Sequence, residues 1–131
     1  MTRILSVKSQ NSHSETAERF QNILDQKGLK TFARVNHSAG AASVGESLNP
    51  TELFIFGNPA LGTPLMKADQ MAALDLPQKV LIHQNDTGEV LLSYDDPAQL
   101  LEKHQLAQAS EVVKKIQGAL AGLTAAAAAL P

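Results

Sequence analysis

Thr51-Glu52-Leu53-Phe54-Ile55-Phe56-Gly57-Asn58-Pro59-Ala60-Leu61-Gly62-Thr63-Pro64-Leu65-Met66 is the stretch on which the reading of this chain turns. Four consecutive apolar residues, Leu53 to Phe56, suit a strand in the interior of a sheet, with both faces shielded. The strand stops at Gly57. Two pairs follow, Asn58-Pro59 and Thr63-Pro64, each setting a capping oxygen just before a ring that presets the first helical turn. The stretch predicts a strand running into two successive helix starts.

Working outward toward the N-terminus, Ile4 to Val7 is a short apolar strand. Ser12 and Glu15 form a capping box, in which each side chain reaches the other's backbone N–H. Ala17, Phe20, Ile23 and Leu24 then fall on one helical face, Glu18, Gln21, Asp25 and Gln26 face water, and Gly28 supplies the left-handed stop. Lys30 to Asn36 alternates as a half-buried strand does. His37 to Asn49 is rich in Ala, Ser and Gly and reads as a loop with room for one helical turn, closed by Pro50.

Toward the C-terminus, Lys79 to Gln84 and Glu89 to Tyr94 flank Asn85-Asp86-Thr87-Gly88, a hairpin loop. Asp96-Pro97 opens a short helix through Leu100 and Leu101. A closing helix over about 108–124 carries Val112, Val113, Ile116, Leu120 and Leu123 on one stripe and leaves Lys114 and Lys115 in solvent. Order is expected to fade in the Ala-rich end, Ala125 to Ala129. The element order β-α-β-β-β-β-α-α predicts an α+β fold, an antiparallel sheet of about five strands with helices on one face. A chain of 131 residues holds this as a single domain over 1–131, large enough to remove roughly two-thirds of its unfolded surface from water.

Composition narrows the function. With 11 Lys+Arg against 13 Asp+Glu, a net charge of -2 and no basic run, the electrostatic footprint of a nucleic-acid binder is missing. The chain has no Trp, four Phe and one Tyr, which leaves little with which to stack bases. Without cysteine there are no disulfides, thiolate metal sites or cysteine nucleophiles. The start Met1-Thr2-Arg3-Ile4-Leu5-Ser6 is too polar for a secretory signal, and the apolar tail Ala119 to Leu130 is shorter than the roughly 20 residues a membrane span requires. The expected setting is cytoplasmic, with no membrane contact.

Several near-motifs dissolve on inspection. Gly40-Ala41-Ala42-Ser43-Val44-Gly45-Glu46-Ser47 matches a phosphate-binding loop except at Glu46, where the required lysine would be replaced by an anion and the interaction reversed in sign. Gly45-Glu46-Ser47-Leu48-Asn49 lacks the second glycine of a nucleophile elbow. His13-Ser14-Glu15 lacks the cysteines that complete a deaminase zinc site. Of His13, His37, His83 and His104, His37 stands out because it ends a strand beside the Gly40 to Gly45 loop. The helix starts at Asn58 and Thr63 could together attract an anion, although Pro59 and Pro64 each remove one donor.

The segment from Thr51 to Met66, together with His37-Ser38-Ala39-Gly40-Ala41, resembles the family called domain of unknown function 302, and the resemblance runs from Ile4 to about His104. It implies a TATA-binding-protein-like topology of one strand, a helix, four strands and a closing helix, and a homodimer. It also implies one groove in which His37, Gly40, Gly45, Glu46, Glu52, Asn58, Thr63 and Met66 converge.

On these grounds the chain is expected to be a non-catalytic cytoplasmic domain that binds a small ligand or a partner protein as a homodimer, with no cofactor, no metal and no nucleic acid. One alternative is an enzyme acting on a small anionic substrate, with His37 as acid or base and Glu46 or Glu52 orienting it. The other is a metal or haem site built from His37 with Met66 or His83.

Overall fold

The computed structural model describes residues 3–131. Met1 and Thr2, the first residues of the segment weighed as a signal, lie outside the described residues. Five strands form one antiparallel sheet: β1 (Ile4–Lys8), β2 (Lys30–Asn36), β3 (Thr51–Gly57), β4 (Gln78–Gln84) and β5 (Val90–Asp95), in the spatial order β1-β5-β4-β3-β2. The fold is therefore α+β, as the periodicity predicts. The continuous apolar run in β3 has a simple cause. Phe54 and Phe56 point into the core, whereas Leu53 and Ile55 point to the other face and are only partly covered.

Helix α1 (His13–Gln26) and helix α5 (Ser110–Ala128) pack on the Phe54 face. Ser12 Oγ accepts the Glu15 N–H at 3.1 Å and starts α1. The ring of Phe20 meets Phe54 and Phe56 edge-on, with centroids 5.1 and 5.5 Å away, an arrangement that suits aromatic quadrupoles. From α5, Val113, Ile116, Leu120 and Leu123 complete the core, while Lys114 and Lys115 are exposed.

The Ala-rich end departs from expectation, because α5 continues to Ala128 with Ala127 and Ala128 buried. A helix leaves its last carbonyls unpaired, and here the chain near the N-terminus supplies the donors. Gln10 N–H donates to Ala128 O at 2.8 Å, the Asn11 amide to Ala127 O at 3.3 Å and Ala129 O at 2.8 Å, and Arg19 Nη2 to Ala126 O at 2.8 Å.

Two other local expectations change. The segment read as a loop contains helix α2 (His37–Ser43), begun by Asn36, whose Oδ1 accepts the Ala39 N–H at 2.9 Å. The two helix starts after β3 are one. Helix α3 (Pro59–Ala68) is capped by Asn58, whose Oδ1 accepts the Ala60 N–H at 3.0 Å, and Pro64 lies inside it, so Thr63 caps nothing. A 3-10 turn (Gln70–Asp75) and the cis Leu76–Pro77 bond then lead into β4. Helix α4 (Gln99–Lys103) and a short turn precede α5.

Candidate functional site

Strand β3 separates the residues expected to converge. Asn36 pairs with Glu52 at its start and Lys30 with Gly57 at its end, and a rise of about 3.3 Å per residue puts Glu52 and Asn58 roughly 20 Å apart. His37, Gly40, Gly45, Glu46 and Glu52 thus sit at one end of the sheet, and Asn58, Thr63 and Met66 at the other. The single shared groove does not form.

The His37 end is an exposed, internally bonded cap. Ser38 Oγ accepts the Thr51 N–H at 3.2 Å and donates to Asn36 Oδ1 at 2.7 Å, which ties α2 to the start of β3. Glu52 gives both carboxylate oxygens to Arg34, each at 3.0 Å. Arg34 also lies 3.7 Å from Glu18 and covers the Phe54 ring at 4.5 Å. Glu52 is thus committed to holding Arg34 over the core edge and is not the orienting partner of His37. Gly45 turns the chain with φ +77, a conformation that disfavours other residues, and His37 and Glu46 face solvent.

At the Asn58 end the chain leaves an open groove of about 290 Å³. Its walls are Phe56 and Gly57 from β3, Leu61 and Met66 from α3, Ile116 and Leu120 from α5, and the Leu76-Pro77-Gln78 entry to β4. Two glycines border it: a Cβ on Gly57 would press on Pro77 at 3.3 Å, whereas one on Gly62 would make ordinary contact with Leu76 and Met66 at 3.9 Å. Among the described residues no Asp, Glu, His, Lys or Arg lines the groove; its polar members are Asn58, Thr63 and Gln78.

An anion finds no donor at this helix start. Pro59 has no N–H, Ala60 N–H is taken by Asn58 Oδ1, and Leu61 and Gly62 N–H both bond to Asn58 O at 2.9 and 3.0 Å. The anion pocket expected from Asn58 and Thr63 is therefore closed. One polar atom is left over: Gln78 Nε2 is buried and has no hydrogen-bond partner.

The strap from Asp69 to Leu76, which contributes Ala73 and Leu76 to the groove, is pinned at both ends. Asp69 Oδ2 accepts the Gln105 N–H at 3.0 Å and Oδ1 the Met71 N–H at 3.0 Å, and these bonds hold its carboxyl below the usual carboxylate range. Asp75 meets the buried His104 Nε2 at 2.6 Å and Lys103 Nζ at 3.1 Å. The His104 bond is the main cause that lowers its pKa. No sequence periodicity marks this strap, so its contribution to the groove shows only in three dimensions.

On the sheet's other face a polar chain runs from Ser6 Oγ to Ser93 Oγ (2.7 Å) to His83 Nε2 (2.9 Å). Burial pushes the His83 pKa down, so the imidazole stays neutral near pH 7. Met66 lies at the far end of the sheet from His37, so the His37–Met66 version of the metal or haem site does not assemble. Among the described residues no group of three or more His, Cys, Asp or Glu is placed to hold a metal.

Comparison with known proteins agrees with this architecture. The family model described as Domain of unknown function DUF302 matches residues 5–123. A curated protein of Brucella suis biovar 1 (strain 1330), named Fluoride-specific ion channel FluC 1, is 42% identical over 112 residues, which are 86% of this chain and 44% of that protein. Fluoride-specific ion channel FluC 2 of Brucella melitensis biotype 1 is 42% identical over 112 residues, with 86% and 42% covered. The chain spans less than half the length of these curated relatives. A crystal structure of an uncharacterized conserved DUF302 protein from Bacillus stearothermophilus superposes with a TM-score of 0.85 at 18% identity, covering 95% of this chain and 97% of that one. That likeness is one of fold.

Proposed function

Because the chain belongs to the family Domain of unknown function DUF302, whose description carries no activity, we propose from the groove itself that this is a non-catalytic cytoplasmic domain that binds a small, largely apolar molecule. The observation that carries the reading is the groove of about 290 Å³ under α3, walled by carbon and free of ionisable side chains. Ligand pockets are typically concave, mostly apolar and provided with a few placed polar groups. A hydroxyl such as that of Thr63 needs a neighbouring base to act as a nucleophile, and among the described residues no Asp, Glu, His, Lys or Arg lines the groove to serve as one.

The test is a thermal-shift and methyl-NMR screen of small aromatic and aliphatic compounds. A binder raises the melting temperature by mass action and moves the methyl signals of Leu61, Leu76, Ile116 and Leu120. In Gly62→Leu the added side chain fills the groove and both responses vanish, whereas Gly118→Leu, at a helix position with open space around it, keeps them. Shifts confined to the His37 end, or no binder at all, would overturn the reading.

Two further parts of the proposal have separate supports. Among the described residues no helix is long and apolar enough to cross a membrane. The Brucella relatives named as fluoride-specific ion channels are more than twice as long as the matched segment, and we propose that the domain serves there as an attached binding unit. A fluorine-19 titration of this chain with fluoride should show no saturable binding.

The homodimer rests on the sheet face away from the helices. There Val35, Leu53 and Leu81 are cross-strand partners beside Ile55, all at least partly exposed. A second copy laid on the same patch would cover both, the isologous arrangement of two-fold dimers. Leu81→Glu should convert a dimer to monomer in sedimentation; a wild-type monomer at high concentration would refute this part.

A further inference from the structure

The groove holds one feature that an apolar ligand alone would leave unexplained. Gln78 opens β4 opposite Phe56, on the face covered by the helices, and lines the groove, and its Nε2 is buried without a partner. A buried unpaired donor is costly, and native structures rarely keep one without a reason. Replacing it with an apolar side chain of similar length would remove the cost, so the glutamine gains its place if something else takes the hydrogen bond.

The surroundings specify what that something is. Among the described residues the groove has no Lys, Arg or His to balance a negative charge, and the helix start at its rim has its first N–H groups already occupied. A carboxylate or phosphate would lose its hydration there and gain one amide bond in return, which does not compensate. A neutral carbonyl oxygen pays far less for dehydration and needs one or two donors. The glutamine side chain, with three rotatable bonds, can turn its amide toward the lumen without moving the backbone.

We propose that the ligand of this groove is an uncharged molecule with a compact apolar body and one carbonyl oxygen, such as a ketone, ester or amide. The carbonyl accepts the Gln78 Nε2–H at the floor, and the body lies against Leu61, Met66, Leu76, Ile116 and Leu120. The inference rests on the groove being a binding site, and it adds the chemical class and the residue that selects it.

Three probes of nearly equal shape separate the parts of this claim: ethylbenzene, acetophenone and benzoate, titrated into the full chain and followed by methyl-NMR shifts. Acetophenone should bind about two- to tenfold more tightly than ethylbenzene, the worth of one hydrogen bond, and benzoate more weakly than either. In Gln78→Met the acetophenone advantage should disappear while ethylbenzene binding is retained, and the ligand-free variant should melt at or above the wild-type temperature.

Equal binding of acetophenone and ethylbenzene to the wild type would overturn the proposal and leave the groove reading standing. So would an advantage that survives in Gln78→Met, or tighter binding of benzoate. Failure of all three probes to bind would bring down the groove reading and this proposal together.

Discussion

Replacing Gly62 by alanine should stabilise the protein, and the reason lies in the shape of the groove. Gly62 sits within α3 and does not have a positive φ, so alanine adopts its backbone without strain. Glycine inside a helix costs about 0.8–1.0 kcal/mol relative to alanine. The new methyl group meets Leu76 Cδ1 and Met66 Cε at 3.9 Å each, ordinary contact distances that add a little burial and force nothing aside. The net gain is about 1 kcal/mol. A chain of 131 residues unfolds with an entropy of about 0.3 kcal/mol per kelvin, so the melting temperature should rise by about 3–4 °C.

Gly57→Ala supplies the contrast. Its Cβ would lie 3.3 Å from Pro77 Cβ and 3.6 Å from Phe32 Cε2, and a proline ring atom cannot swing away, so the variant should lose about 1 kcal/mol or more by overpacking. Differential scanning calorimetry of both variants, with Gly118→Ala in open space as the propensity control, reads the outcome. If Gly62→Ala melts below the wild type while Gly118→Ala melts above it, Leu76 and Met66 already fill the space beside Gly62. The groove would then be closed in solution.

Other consequences are simpler to state. Asn11→Ala removes two bonds to the last carbonyls of α5 and should cost about 2 kcal/mol, with amide exchange at Ala127 to Ala129 accelerating most. Phe20→Ala empties a fully buried site between Phe54 and Phe56 and should cost about 3–5 kcal/mol in a denaturant titration. Asp75, Asp69 and Asp96 all have lowered pKa values, set chiefly by the His104 bond, the Gln105 N–H and the Ala98 N–H. Their stabilisation is complete above the unfolded carboxylate value of about 4 and is lost as pH falls through their lower folded values. A melting temperature that declines below about pH 4 in the wild type, and less steeply in Asp75→Asn, is the expected profile.

Much of the fold was legible because its signals are local. The Ser12 cap, the α1 stripe, the Asn85–Gly88 hairpin and the α5 stripe each depend on residues within one or two turns of one another, and each lies where the pattern placed it. What misled were features whose outcome is decided elsewhere in the chain. An alanine run looks prone to fray until Gln10, Asn11 and Arg19, more than a hundred residues earlier, take its carbonyls. Thr63-Pro64 looks like a helix start, yet one cap at Asn58 already sets α3 going and the proline is carried inside it.

The groove was legible by half, and the missing half follows from topology. Asn58, Thr63 and Met66 do line the groove, whereas His37 and its glycine loop lie at the opposite end of β3. Residues at the two ends of one strand are near in sequence and far in space, and the resemblance to a family reports the first kind of nearness. The groove's other walls come from Leu76, Gln78 and Ile116, which no local pattern connects to Asn58. The one readable clue was chemical: Gln78 opens β4 on the face that packs under the helices, in line with the buried Val80 and Ile82. A polar residue at such a position either finds a partner within the fold or keeps its place for one outside it, and here its donor is left without a partner. That unmet bond, facing an apolar groove, is what turns a depression in the surface into a site with a stated chemistry.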